Sequence, residues 1–280
     1  MSVGEADAEV DRGEIMTYIS KDLSRGKDEV LKSNITEDQF NEIKDSLDYL
    51  DTCTYEIDYC LMLRDNIYDF LRNVENDETD HDLVFVSLNR LFMNIMNSYY
   101  AWIEHHEKNY KSVFKPIAIQ YYDSHFEYRL AYNLRTYTTH HSLAITSTTT
   151  HLDSGLKTIN IELEKLLDKK SGIQNSFRKE LECIVSDNGI QTIDAYPFII
   201  TFFKIFEKLQ GDIWNSIYKD IAAKIELLQD YTQNDRMIRD TYILTEDESD
   251  YLRIGAKIAI MLNKWKKIIV PDYLMNYLDS

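Results

Sequence analysis

The sequence has few residues that interrupt helices and few that cross-link chains. Among its 280 residues are eight glycines, three prolines and three cysteines, whereas an average protein has about 7% glycine and about 5% proline. So few helix breakers in a long chain favour long helices. Three cysteines do not indicate a disulfide framework in a chain of this length. Cys53 and Cys60 lie seven residues apart, as buried positions on one side of a helix do, and they lack the C-x2-C spacing of a zinc site.

The chain also has no long hydrophobic run. No uncharged apolar segment reaches the ~18 residues that a membrane span needs, although 44% of the residues are hydrophobic. The first residues, MSVGEADAEVDRGE, are acidic and have no apolar region of the kind found in signal peptides. These absences predict a cytoplasmic protein that has no membrane partner.

Positive charge is scarce as well. Lysine and arginine total 31 against 48 aspartates and glutamates, which gives a net charge of −17. The average surface therefore repels nucleic acid and anionic membranes, and any RNA binding must be local, in a cleft lined by particular cations. The charge has two interpretations, which are solubility alone or an acidic surface for a basic partner protein.

Capping signals and the spacing of apolar residues predict where the helices lie. Thr36-Glu37-Asp38-Gln39 is a capping box, in which the first and fourth side chains bond each other's backbone N–H groups. Pro116 is expected to end one helix before the next begins, because proline lacks the N–H that a helix interior needs. A second capping box, 245–248, begins the last predicted helix. The predicted helices are 8–23, 36–73, 82–111, 117–138, 173–185, 194–232 and 245–267.

Two segments in the middle of the chain have the alternating, β-branched character of strands. They are 142–151 and 156–163, joined around Asp153-Ser154-Gly155, and together they predict a β-hairpin. The predicted fold class is mainly α, a helical bundle with this small hairpin. The predicted domain organisation is an N-terminal helical arm at 1–35, a helical core at 36–233 with the hairpin near 142–163, and a C-terminal helix packing on the core at 234–280.

The adjacent histidines His105 and His106, followed by Glu107, raise the question of a metal site. Neighbouring side chains on a helix point about 100° apart, whereas two histidine ligands on one helix need i, i+4 spacing. The preferred interpretation is therefore a solvated helix face, and neither a metal nor a cofactor is expected.

The segment 126–141, FEYRLAYNLRTYTTHH, brings an arginine and two histidines onto one amphipathic helix. On a helical wheel centred on Leu134, an apolar stripe contains Phe126, Leu130, Tyr137 and His141, and this stripe predicts the buried face. Arg135 projects roughly 140° away from His140 on the same wheel. Their side chains can converge only if the helix ends near Thr138 or if one of them comes from a second chain.

Arg135 and His140 form an R-x4-H pattern, and the local sequence LRTYTTHH resembles the R-x(4–6)-H motif of the HEPN superfamily. That family comprises small helical domains, many of them metal-independent ribonucleases of toxin–antitoxin, phage-defence and RNA-processing systems. Its members typically dimerise so that two motifs face each other across a cleft. The resemblance extends over about 82–231 in layout and over the motif in residue detail. The family often has Asn, Asp or His directly after the arginine, where this chain has Thr136.

The resemblance implies a catalytic pair. His140 would act as general base or acid, since the pKa of histidine lies near neutrality. Arg135 would bind the phosphate, because its guanidinium stays charged and bonds two oxygens at once. Two copies across a dimer would supply both an acid and a base.

Four neighbours are the candidate substrate-binding residues: Arg129, Asn133, Thr136 and His141. For His141, which lies on the apolar stripe, a buried and hydrogen-bonded side chain is the preferred alternative to catalysis.

Three functions follow as hypotheses. The first, which we favour, is a dimeric RNA endonuclease that acts as a toxin or phage-defence effector, with an antitoxin or defence-system protein as a further partner. The second is a non-catalytic HEPN-like binding or sensor subunit, for which Thr136 and the strong acidity speak. The third is an acidic helical scaffold that binds a basic protein. In a purely structural alternative for the motif, Arg135 pairs with a carboxylate and His140 caps a helix end.

Overall fold

A computed structural model describes residues 16–20, 34–75, 81–150, 157–231, 241–244, 251–253 and 264. Internal contacts divide the chain into two compact units. The first unit comprises Met1–Thr54 and Lys219–Lys266, and the second comprises Tyr55–Tyr218 and Lys267–Ser280. The predicted domain boundaries near residues 35 and 233 stay a prediction.

The described elements are mostly helices. The helices are α1 (Glu37–Glu75), α2 (His81–Asn109), α3 (Lys111–Ser124), α4 (Phe126–His140), α5 (Leu163–Leu166), α6 (Asn175–Asn188) and α7 (Ala195–Tyr231). The strands are β1 (Met16–Ser20), β2 (Asn34–Ile35), β3 (Ser147–Thr150), β4 (Lys157–Glu162), β5 (Thr192–Asp194), β6 (Thr241–Leu244) and β7 (Tyr251–Arg253). The predicted fold class, mainly α with a small hairpin, is confirmed. No helix in the described part of the chain is both long and apolar enough to cross a membrane.

The first unit contains an antiparallel sheet in the order β2-β1-β6-β7. The helix predicted at 8–23 is therefore wrong at 16–20, where Tyr18 pairs with Ile243. Thr17, Tyr18 and Ile19 are β-branched or aromatic, and such residues fit a pleated surface once a partner strand is present. The other residues of that predicted helix lie outside the described ones.

The helix predicted at 245–267 is wrong where it includes β7, in which Leu252 pairs with Ile243. Lys264 is helical. The rest of that segment, with its capping box at 245–248, lies outside the described residues.

The capping box before α1 is confirmed. The Thr36 backbone N–H donates to Gln39 Oε1 at 2.9 Å, and the Gln39 N–H donates to Thr36 Oγ1 at 3.3 Å. These reciprocal bonds satisfy donors that have no partner inside the helix. Cys53 and Cys60 are both buried, as their spacing predicts, and burial raises the pKa of the Cys60 thiol.

The second unit contains the predicted hairpin and a strand that the sequence did not indicate. β3 and β4 pair antiparallel, with Thr148 opposite Ile159. β5 adds to the other edge of β4 and leads directly into α7. The Asp194 carboxylate accepts the backbone N–H of Ile159 at 3.2 Å and that of Tyr196 at 3.1 Å, so one side chain ties the sheet to the first turn of α7. Three residues are too few to show the alternation that marks a strand.

The predicted break at Pro116 is wrong. Pro116 lies inside α3, and the chain leaves helical geometry instead at Tyr110 and at His125, where φ is −125° and ψ is 117°. Pro116 costs α3 one backbone bond near its beginning, while Phe114 and Tyr121 anchor the helix in the core. The motif helix α4 therefore begins at Phe126 rather than at Ile117.

The core of the second unit is rich in aromatic rings. Tyr99 of α2 meets Phe202 of α7 with ring centroids 5.0 Å apart, and Trp102 meets Phe206 at the same distance. Both contacts are edge-to-face, the arrangement that the ring quadrupoles favour. Beside them Arg64 of α1 donates to both carboxylate oxygens of Glu207 on α7, at 2.8 and 2.5 Å.

The Arg64–Glu207 pair gives a test of this packing. Arg64→Ala should lower the free energy of unfolding by about 3 kcal/mol, because the Arg64 side chain is only 3% exposed and its removal leaves the Glu207 carboxylate, itself 14% exposed, without its partner. Denaturant unfolding followed by circular dichroism measures the change. Lys208→Ala, an exposed change on the same helix, should stay within about 0.5 kcal/mol of wild type. Equal effects of the two variants would contradict a buried role for the pair.

Candidate functional site

The helix α4 presents its predicted apolar stripe to the core. Leu130, Leu134 and Tyr137 are buried, and the half-buried Phe126 packs against the same cluster. The wheel prediction is confirmed for these positions. Since this face is fixed, the directions of all other α4 side chains are fixed as well.

Arg135 lies flat against an aromatic ring of the neighbouring helix α2. Its guanidinium carbon is 2.9 Å from the centroid of the Tyr100 ring, a cation–π contact. The Tyr100 hydroxyl donates to the carboxylate of Glu104, one turn further along α2. That hydrogen bond raises the pKa of Tyr100, and the charge of Arg135 opposes the shift. Within the described ranges no carboxylate lies within ion-pair distance of Arg135, which stays half-buried and accessible from one side.

His140 is the last residue of α4 and is exposed. Its ring makes no hydrogen bond or ion pair with the residues that the structure describes. Because α4 stays helical through His140, its side chain leaves the axis about 140° away from Arg135 and about 7.5 Å further along. The two side chains of one chain could meet only if the helix ended near Thr138. Since α4 continues through His140, they do not meet.

His141 is not buried, contrary to the preferred expectation. It is the C-cap residue of α4, with φ −130° and ψ −67°, and its side chain is 26% exposed. Its Nε2 lies 4.0 Å from the carboxylate of Asp168, and its ring packs on Tyr137 at a centroid distance of 5.0 Å. The wheel failed here because the helix ends one residue earlier and its period no longer applies.

Arg129 is held by three groups. Its Nε and Nη2 donate to the two carboxylate oxygens of Glu180 on α6 at 2.9 and 2.7 Å. Its Nη1 donates to the carbonyl oxygens of Tyr122 and Asp123 at 2.6 and 3.0 Å. The hydrogen bond to Glu180 raises the pKa of Arg129. Arg129 thus caps the last turn of α3 and joins α4 to α6.

Asn133 and Thr136 attach the same side of α4 to the loop before α6. Asn133 is 1% exposed, donates to the carbonyl of Arg129 and accepts the backbone N–H of Gln174 at 2.8 Å. The methyl group of Thr136 faces Gly172, where an added Cβ would lie 3.2 Å away. Gly172 has φ +76°, a conformation that glycine adopts without strain. A direct contact between RNA and Asn133 would require this network to open, and substrate binding by these residues stays a prediction.

The sequence did not indicate Tyr100 or Glu104. Both lie on α2, 35 and 31 residues before Arg135. Tyr100 contacts Arg135 and Glu104 contacts Tyr100, and this arrangement depends on how two helices pack. The one sequence feature that could have indicated Tyr100 is the adjacent pair Tyr99-Tyr100, because neighbouring side chains on a helix point in different directions. Tyr99 is buried in the core, and Tyr100 is half-buried.

The expected solvated face at 105–107 is wrong for His106, which is fully buried. Its Nδ1 lies 2.8 Å from the carbonyl of Trp102, and its Nε2 lies 3.2 Å from the buried carboxylate of Glu56, which also accepts from Gln210. The alternation of 100° per residue explains the error, because His106 points into the core when Glu107 points outward. Among the described residues no group of three or more His, Cys, Asp or Glu side chains is arranged to hold a metal ion.

The placement of Arg135 gives a prediction that does not depend on activity. Tyr100→Leu should free the guanidinium, because an aliphatic side chain has no ring quadrupole to attract it. Nuclear magnetic resonance relaxation of Arg135 Nε should then show an order parameter below about 0.6. Tyr100→Phe keeps the ring and loses only the hydroxyl, with its bonds to Glu104 and Arg135, and should leave Arg135 ordered on the ring. The same high order in Tyr100→Leu as in wild type would contradict the contact.

No family model, no curated protein and no solved structure matches this chain. The resemblance to the HEPN superfamily therefore rests on the residues of α4, and membership stays a hypothesis. What bears on function is the chemistry of Arg135, His140 and the groups around them.

Proposed function

We propose that this protein is a metal-independent RNA endonuclease of the HEPN type, whose active site forms where the α4 helices of two copies meet. The observation that carries the proposal is an accessible Arg135 held on Tyr100 with no carboxylate partner in the described structure, close in sequence to an exposed His140. The structural alternative needs an ion pair for Arg135 and a capping bond for His140. Neither is found among the described residues, where the cap is the N–H of His141 bonded to the carbonyl of Tyr137.

The proposed chemistry uses each group for what it does well. Cleavage without a metal requires removal of the ribose 2′-OH proton, stabilisation of a phosphorane-like transition state, and protonation of the leaving 5′-oxygen. His140 transfers protons, because imidazole titrates near neutral pH. Arg135 binds the developing phosphorane charge through two N–H groups, and its fixed position on Tyr100 limits the reorganisation needed in the reaction.

The second copy is a geometric requirement of the proposal. Within one chain the two side chains leave α4 in directions about 140° apart, and Arg135 is held towards α2. One phosphodiester needs both groups within hydrogen-bond reach. A dimer places the exposed His140 of one copy beside the Arg135 of the other, and two-fold symmetry repeats this pair at a second, equivalent site. The further role as a toxin or phage-defence effector, with an antitoxin or defence-system partner, follows from the family resemblance.

RNA cleavage in excess chelator tests the proposal. Arg135→Ala and His140→Ala should each lower the cleavage rate by about 10²–10⁴-fold, since each removes a group that acts in the transition state. Products of the wild type should carry 2′,3′-cyclic phosphate ends. Arg90→Ala removes an exposed arginine of α2 and should cleave like wild type.

Circular dichroism and sedimentation must show that the fold and the dimer persist in each variant. Wild-type protein that is folded, dimeric and inert on mixed RNA at high concentration would contradict the proposal, and so would full activity of both site variants.

One observation favours a second function, a non-catalytic HEPN-like subunit that binds or senses RNA. The residue after the arginine is Thr136, where the HEPN family often has Asn, Asp or His, and its methyl group packs towards Gly172. This function predicts RNA binding that weakens with salt and needs Arg135, without cleavage. A filter-binding assay on the same RNA, run beside the cleavage assay, separates the two functions.

A further inference from the structure

The helices α2, α3 and α4 enclose a small pocket whose walls are largely aromatic. Its volume is about 220 Å³, and its lining includes Glu107, Ile119 and the tyrosines Tyr122, Tyr128 and Tyr132. Pockets for drug-sized ligands span about 300–1,000 Å³. This one therefore has room for a single planar ring system, with the rest of the ligand outside.

Three tyrosine rings line the pocket, and the Tyr122 ring stands at right angles to each of the other two. Tyr122 meets Tyr132 at 5.8 Å and Tyr128 at 6.5 Å between ring centroids, with interplanar angles of 90° and 87°. The Tyr122 hydroxyl donates to Gln174 Oε1 at 2.6 Å, which fixes that ring. At the rim, Ile119 is 50% exposed although it is a large apolar side chain. Tyr128 is only 2% exposed, whereas Tyr122 and Tyr132 are half-buried and offer ring surface on which a nucleobase can stack.

A second, larger depression of about 630 Å³ adjoins the pocket and shares Glu107 and Lys115 with it. Its other lining residues are Glu104, Lys108 and Lys111. The side chains of Lys108, Lys111 and Lys115 make no hydrogen bond or ion pair with a residue in the described part of the chain. α3 also begins at Lys111, so its N-terminal dipole adds to the positive potential. On a chain of net charge −17, unpaired cations beside an aromatic pocket fit a ring that carries an anionic group.

The carboxylate of Glu107 selects among planar rings. Glu107 lines both the pocket and the depression, and it has no hydrogen bond or ion pair within the described structure. An ionised carboxylate only accepts hydrogen bonds, through two oxygens. Guanine presents two adjacent donors on its Watson–Crick edge, the N1–H and the 2-amino group. Adenine and cytosine each present one amino group there, and uracil one N–H.

The pocket lies on the same side of α4 as the proposed phosphate-binding arginine. Tyr128, Tyr132 and Arg135 fall within about 60° of one another on the helical wheel, and one turn separates Tyr132 from Arg135. Along α4 the pocket residue Tyr132 comes before Arg135. Along α2 the residue that contacts Arg135, Tyr100, comes before the pocket residue Glu107. The pocket and Arg135 therefore lie on the same side of α4, about one helical turn apart.

We propose that this pocket binds guanine, either in an RNA strand or as a free guanine nucleotide. The base stacks face-on against one of the two partly exposed rings, Tyr122 or Tyr132, and meets the other edge-on; its N1–H and 2-amino group donate to Glu107, and its phosphate faces Lys111 and Lys115. The RNA form of the proposal rests on the proposed ribonuclease function and makes guanine the base that sets where the strand is cut. The free-nucleotide form does not.

Calorimetric titration of the full chain with 5′-GMP, 5′-IMP and 5′-AMP tests the pocket without any need for activity. GMP should bind at least about tenfold more tightly than AMP, because AMP offers Glu107 a single amino group. IMP keeps the N1–H, lacks the 2-amino group, and should fall between them. Glu107→Gln should abolish the preference for GMP, whereas Glu182→Gln, an exposed change on α6, should keep it. Equal affinities for GMP and AMP, or a preference that survives in Glu107→Gln, would overturn the proposal.

Cleavage of two RNA oligonucleotides, one with a single guanosine and one with none, distinguishes the sources of the base. Cleavage only of the RNA that contains guanosine, abolished by Glu107→Gln, shows that the pocket binds guanine in an RNA strand. Selective GMP binding by a protein that cuts neither RNA supports the free nucleotide and counts against the ribonuclease. Cleavage of both RNAs alike, without selective GMP binding, leaves the ribonuclease standing and rejects the guanine pocket.

Discussion

The arrangement of the candidate site depends on one constraint: α4 remains an unbroken helix through His140 while one of its faces is held in the core. Leu130, Leu134 and Tyr137 fix the rotation of this helix about its axis. Every other side chain on α4 then has a set direction. Arg129, Asn133 and Thr136 attach to α6 and the loop before it, Arg135 lies on Tyr100, and His140 extends outward at the end. The same constraint that orders these groups keeps Arg135 and His140 of one chain apart.

Electrostatics adds to this arrangement. In an acidic protein most cations have carboxylates available, and Arg64 and Arg129 are each bound on two oxygens, by Glu207 and Glu180. Arg135 instead contacts a ring, whose attraction leaves the guanidinium N–H groups able to bind an anion. Lys108, Lys111 and Lys115 are likewise without ion pairs in the described structure and lie by the α2–α3 connection. In the proposed function these cations bind the phosphates of the RNA, on a surface that repels them on average.

The sequence predicted what depends on local pattern. Apolar spacing identified the buried face of α4, the capping box placed the start of α1, and β-branched alternation predicted the hairpin of β3 and β4.

The sequence did not predict what depends on contacts distant in sequence. β5 is a strand because Asp194 meets Asn160, β1 because Tyr18 meets Ile243, and Pro116 stays in a helix that Phe114 and Tyr121 anchor in the core. His141 was misplaced because a period was extended one residue beyond the helix. Of the site, Arg135 and His140 came from a motif, whereas Tyr100 became visible only when two helices were packed together.

The most direct test of a site shared between two chains is a subunit-mixing experiment. Wild-type protein is exchanged with a large molar excess of the Arg135→Ala/His140→Ala double variant, and native mass spectrometry of differently tagged chains confirms that mixed dimers form. The account predicts that RNA cleavage per wild-type chain falls in proportion to the fraction of wild-type chains paired with the variant. Unchanged cleavage per wild-type chain in fully mixed dimers would mean that each chain carries a complete site, which the direction of His140 on α4 does not allow.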